Sequence, residues 1–89
     1  MRLAALAVAV SLLGACSGTP KSGPIRWSQA RALLRACRVT YVEQTHRRLV
    51  TLRLRGGGSV YTHEPRIDDV IAEVNRVSGK CGPITLATE

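Results

Sequence analysis

The sequence predicts an α+β domain: a small three- to four-stranded antiparallel sheet with two helices packed on one face, in the order α-β-β-β-α-(β). Three observations predict it. Two stretches, one beginning at Trp27 and one after Pro65, repeat apolar residues at helical spacing. Between them lie three short runs rich in β-branched and aromatic residues. The 89 residues hold one small domain and no more, so these elements must share a single layered core.

The first helix is "WSQARALLRAC". Ala30, Leu33, Leu34 and Cys37 form its apolar stripe, with Arg31, Arg35 and Arg38 off that face, and Ser28 is the expected N-cap. "VTYVEQT", residues 39–45, is the first strand. "RLVTLRLR", residues 48–55, is the second, with Val50, Leu52 and Leu54 on one side and Thr51, Arg53 and Arg55 on the other. Gly56, Gly57 and Gly58 make a turn at positive φ, and "SVYTH", residues 59–63, is the third strand. Pro65 opens the second helix, whose stripe is Ile67, Val70, Ile71, Val74 and Val77. Asp68, Asp69 and Glu73 stand towards its start and Arg76 towards its end, as the helix dipole favours, and Gly79 is the expected C-cap. "PITLAT", residues 83–88, offers one more short strand.

The first 24 residues read differently. Arg2 precedes an apolar run from Leu3 to Leu13, too short to span a bilayer as a helix and suited to an export signal. The run ends in Leu13-Gly14-Ala15-Cys16. That tetrad resembles the lipobox of bacterial lipoproteins: an aliphatic residue, two small residues, then the cysteine whose thiol takes a diacylglycerol. The resemblance implies a signal peptide over residues 1–15, lipidation at Cys16 with palmitate-type acyl chains, and a mature protein held on a membrane. Two or three such chains anchor stably where one does not. In enteric-type sorting, an Asp after the acylated cysteine retains a lipoprotein in the inner membrane. Ser17 stands there, which favours the outer membrane, facing the periplasm. Residues 16–24 then form the lipidated N-terminus and a Gly, Ser and Pro-rich tether with a reach of roughly 15 Å, and residues 25–89 form the domain.

With Cys16 assigned to lipid, Cys37 and Cys81 remain, each near the end of a helix. In an exported protein they are expected to pair as a disulfide. The rival readings are a reactive thiol pair or a metal site with His46 and His63, but the sequence has no CxxC and no zinc-type spacing.

The pattern Ile25, Trp27-Ser28, Ala30, Leu33-Leu34, Cys37, Val39, Val42, then Val50, Leu52, Leu54, Gly56-Gly57, Tyr61, Pro65 and Ile67-Asp68-Asp69-Val70-Ile71 resembles the small periplasmic domain of membrane-anchored AAA+ zinc proteases. The resemblance covers residues 25–78 and rests on apolar positions and turns. It implies a fold and, since that domain is an assembly and substrate-contact module in the family, an interaction role. The chain has no phosphate-binding loop and no HExxH helix, so protease and ATPase activity do not carry over. Cys37 takes a position usually held by Gly in the family, which fits an added disulfide.

Charge supplies the remaining lead. The net charge is +7, and eleven of the thirteen basic residues are Arg. Arg47, Arg48, Arg53 and Arg55 are read as one basic hairpin face, within a Debye length of one another, for an anionic partner: an envelope protein, anionic lipid or cell-wall polymer. Nucleic acid is not expected outside the cytoplasm. His63, Glu64, Asp68 and Asp69 could hold a metal or do acid-base work, but they also read as a surface turn beside dipole-placed carboxylates. "GGGS", residues 56–59, lacks the Lys-Ser/Thr of a phosphate loop. The expected function is a non-enzymatic, membrane-tethered interaction module with no cofactor and no metal. The alternatives are an inhibitor of a periplasmic enzyme or a small metal-dependent hydrolase.

Overall fold

Among the described residues, each helix lies between two strands that run the same way. The structure, a computed structural model, describes residues 21–89. Its elements are β1 (Ser22–Pro24), α1 (Trp27–Arg35), β2 (Val39–Gln44), β3 (Leu49–Leu54), β4 (Ser59–His63), α2 (Asp69–Cys81) and β5 (Thr85–Thr88). They build one five-stranded sheet in the order β1-β4-β3-β2-β5. β3 is antiparallel to both β2 and β4, while β1 pairs with β4 and β5 with β2 in parallel.

The sheet is therefore mixed, not the three- to four-stranded antiparallel one expected. The reason is geometric. A helix packed along a sheet carries the chain back to the end where the preceding strand began, so the next strand must run parallel to it. The β1-α1-β2 and β4-α2-β5 segments both do this, and two tight turns make the antiparallel pairs in between. β1 also shortens the expected tether, since Ser22–Pro24 belong to the sheet. Its edge position tolerates Pro24, and Gly23 takes a φ of 92°. Backbone bonds from Ser59 N–H to the Lys21 carbonyl (2.9 Å) and from Ile25 N–H to the Tyr61 carbonyl (2.8 Å) fasten both ends of it. The expected signal peptide and Cys16 lie outside the described residues.

One core joins the layers. Ala30 and Leu34 of α1 and Val70, Val74 and Val77 of α2 pack on Val39, Val42, Val50, Leu52 and Val60 of the central strands, all buried. Both helices thus cover the same sheet face. No helix among the described residues is long and apolar enough to cross a membrane.

The helix ends depart from the sequence reading. α1 starts at Trp27 with Arg26 as N-cap, not Ser28, because Gln29 reaches back and accepts the Arg26 N–H at 2.9 Å. α2 starts at Asp69 rather than at Pro65, and Ile67 is left 48 % exposed, outside the stripe assigned to it. Asp68 sits before α2 in a left-handed conformation (φ 73°). It is held there by Gln44, which donates from Nε2 to Asp68 Oδ1 (3.1 Å) and accepts the Asp68 N–H (3.0 Å). At the far end, α2 continues through Gly79 to Cys81 and stops at Gly82, whose φ is 85°.

The Cys37–Cys81 disulfide joins the C-terminal ends of the two helices, with Cα atoms 5.1 Å apart. Cys37 adopts a left-handed φ of 58°, the conformation that usually selects Gly just past a helix.

Candidate binding surface

The sheet face opposite the helices has no covering element among the described residues. Strand alternation decides what it displays. β2 contributes Tyr41 and Glu43, β3 contributes Leu49, Thr51 and Arg53, and β4 contributes Tyr61 and His63. Register sets these in rows. Tyr41 stands opposite Arg53, and Thr51 stands between Glu43 and Tyr61. The Arg53 guanidinium carbon lies 4.6 Å from the centroid of the Tyr41 ring, a cation–π stack. Tyr61 is 44 % exposed. These central-strand positions set two tyrosines and a leucine beside one arginine, one carboxylate and one histidine.

The four arginines read as one cluster do not form one. Arg47 and Arg48 lie in the turn before β3, and Arg53 and Arg55 lie at its other end. From Leu49, the first residue of β3, to Arg53 the strand advances four residues at about 3.3 Å each, roughly 13 Å, so the turn arginines and Arg53 stand farther apart than a Debye length of about 8–10 Å. Two of the four also serve the fold. Arg48, at a left-handed φ of 70°, donates from Nη1 to the carbonyls of Glu64 (3.1 Å) and Pro65 (2.7 Å). Arg55 donates from Nε to the Cys37 carbonyl at 3.1 Å. The Arg47 side chain makes no hydrogen bond or ion pair among the described residues, and Arg53 presents its outer side to solvent.

The acid-base constellation is taken apart by the same alternation. His63 is exposed on the open face, whereas Glu64, the next residue, is 1 % exposed and turned to the helix side. Asp68 is engaged by Gln44, Asp69 accepts the Arg66 N–H at 3.0 Å, and His46 is exposed in the β2–β3 turn. Among the described residues no group of three His, Cys, Asp or Glu is placed to hold a metal ion. Gly56 to Gly58 form the β3–β4 turn with φ values of 91°, 116° and 101°.

Glu64 instead starts α2. Its Oε1 accepts the Val70 N–H at 2.8 Å, and its Oε2 is buried without a partner. Burial pushes its carboxyl above the usual carboxylate range, the Val70 and Asp68 N–H groups oppose the rise, and the Asp69 and Asp68 charges add to it.

One group escaped the sequence reading. Glu73, assigned there to the helix dipole, is 5 % exposed and is ringed by three arginines. Arg31 Nε and Arg35 Nε of α1 lie 3.3 and 3.6 Å from its carboxylate oxygens, and Arg76 Nη1 of α2 donates to Oε2 at 2.8 Å. The Arg31–Arg35 and Glu73–Arg76 spacings were the available sign, since each pair shares a helix face. What no spacing reveals is that the two faces meet.

No protein-family model matches this chain, and no curated protein matches it.

Proposed function

We propose that this chain is a lipid-anchored envelope protein whose α+β domain is a non-enzymatic binding module that docks a protein partner on the open face of its sheet. The anchor rests on Leu13-Gly14-Ala15-Cys16 after the apolar run, with Ser17 favouring the outer membrane. The docking role is carried by one observation: the uncovered face stacks Arg53 on Tyr41 near the exposed Tyr61. Tyr and Arg are enriched among the residues that carry binding energy at protein interfaces, because each combines a large contact area with a polar end. Glu43 on the same face makes its charge mixed, which suits a polar protein patch better than a uniformly anionic lipid layer. The resemblance to the periplasmic domain of membrane-anchored AAA+ proteases supports the same role, since that domain is a contact module. The hydrolase alternative has less support, with His63 and Glu64 on opposite sides of the sheet.

The test uses the full chain expressed in a bacterium with an outer membrane. The protein recovered from the envelope should begin at an acylated Cys16, and Cys16→Ala should leave it unacylated. A photo-crosslinker at Thr51 should give a discrete protein adduct that Arg53→Glu and Tyr61→Ala abolish without lowering Tm. An unmodified N-terminus at another residue would end the anchor reading, and an adduct indifferent to both substitutions would end the docking reading.

A further inference from the structure

We infer that the Glu73-centred arginine cluster on the helix layer is a pre-assembled site for a phosphate group. The whole chain has six acidic residues, and all of them lie among the described residues: Glu43, Glu64, Asp68, Asp69, Glu73 and Glu89. Only Glu73 lies within ion-pair distance of Arg31, Arg35 or Arg76. One carboxylate therefore faces three guanidinium groups, and the cluster keeps an excess of two positive charges.

The hydrogen bonds make the excess usable. Arg76 alone bonds Glu73 with good geometry, at 2.8 Å. Arg31 and Arg35 approach it as ions without an aligned bond, and Arg31 Nε is buried with no acceptor. Each guanidinium has five N–H donors in a planar fork, a shape that matches phosphate oxygens in pairs. The side chains remain 40 %, 50 % and 62 % exposed for Arg31, Arg35 and Arg76, so their outer parts reach solvent although Arg31 Nε itself is buried. Glu73 acts as the fixed post. It is nearly buried at the α1–α2 contact and holds three mutually repelling cations together before any ligand arrives, so a phosphate does not have to gather them. If the cations served only to neutralise Glu73, one would suffice.

This site is independent of the sheet-face reading and lies on the opposite layer of the domain. Two sources present the same chemistry: the headgroup phosphate of an anionic lipid and a free phosphate ion. With headgroups on the helix layer, the open sheet face would point away from the membrane.

The test uses the full chain in a zwitterionic detergent, with the arginine Nε–Hε resonances followed by NMR. Inorganic phosphate should shift the Arg31, Arg35 and Arg76 signals saturably. Arg76→Gln should weaken binding about tenfold, the cost of one charge-assisted hydrogen bond. Arg66→Gln, which removes the same charge elsewhere, should not. Glu73→Gln supplies the sharper discrimination: it adds a positive charge to the cluster, yet it should weaken binding because the post is lost. Vesicles of phosphatidylcholine with phosphatidic acid separate the sources. Competition between them and inorganic phosphate assigns the site to headgroups, and binding of inorganic phosphate alone assigns it to the free ion. The inference is overturned if no saturable shift occurs, if Arg76→Gln and Arg66→Gln behave alike, or if Glu73→Gln binds more tightly.

Discussion

Cys37 and Cys81 bring the C-terminal ends of α1 and α2 to a Cα separation of 5.1 Å, closing a chain separation of 44 residues. A loop of that length stabilises the fold by roughly 4 kcal/mol in the chain-entropy account. The net stability of a small domain is about 5–15 kcal/mol, so the bond is a large share of it. Reduction, or the double substitution Cys37→Ser and Cys81→Ser, should move the urea midpoint far down and steepen the denaturant slope, because the unfolded chain expands once the cross-link is gone. Equal midpoints with and without reductant would show that the helix ends hold together unaided.

Glu64 gives stability a pH dependence of defined sign. In the unfolded chain it titrates in the ordinary carboxylate range, and in the folded domain burial moves it higher. The fold thus favours the protonated form. The contribution is fully present below the ordinary value and is lost as pH rises through the raised one. Glu64→Gln keeps the shape and does not titrate. Its Tm relative to the parent should therefore climb as pH rises across that window, and a difference that is flat with pH would contradict this account.

The four hairpin arginines should separate by role. Arg48→Ala loses two bonds to backbone carbonyls while keeping a left-handed backbone, and should cost roughly 1–3 kcal/mol in urea unfolding. Arg48→Gly should recover part of that loss by relieving the backbone. Arg55→Ala should also destabilise, through the Cys37 carbonyl it leaves unbonded. Arg47→Ala should stay within about 0.5 kcal/mol of the parent.

Gly58 fixes how the first strand enters. Its φ is 101°, and a Cβ there would strike the Lys21 carbonyl, which accepts the Ser59 N–H. Gly58→Ala should cost roughly 1–3 kcal/mol from the backbone alone. It should also speed amide exchange at Ile25, whose N–H bonds the Tyr61 carbonyl across the β1–β4 edge. Gly57→Ala, with open space around it, should leave Ile25 protected.

By itself the sequence determined the elements whose causes are local. Alternation in "RLVTLRLR" and "SVYTH", the glycine turn and, Ile67 apart, the 3.6-residue stripes were legible, because side-chain period and backbone φ act within a few residues. The α+β class followed from them, and so did the Cys37–Cys81 pairing once Cys16 was set aside. Tertiary structure decided what depends on residues far apart in the chain. Ser22–Pro24 carries turn-like residues and becomes a strand only because β4 offers it an edge. α2 begins at Asp69 because Glu64 and Gln44 supply its first contacts from other elements. Arg47 and Arg53 look like neighbours in the sequence and are parted by the length of β3. Arg31, Arg35, Glu73 and Arg76 are scattered through the sequence and meet where two helices pack. Periodicity says which face a residue occupies; only packing says which faces touch.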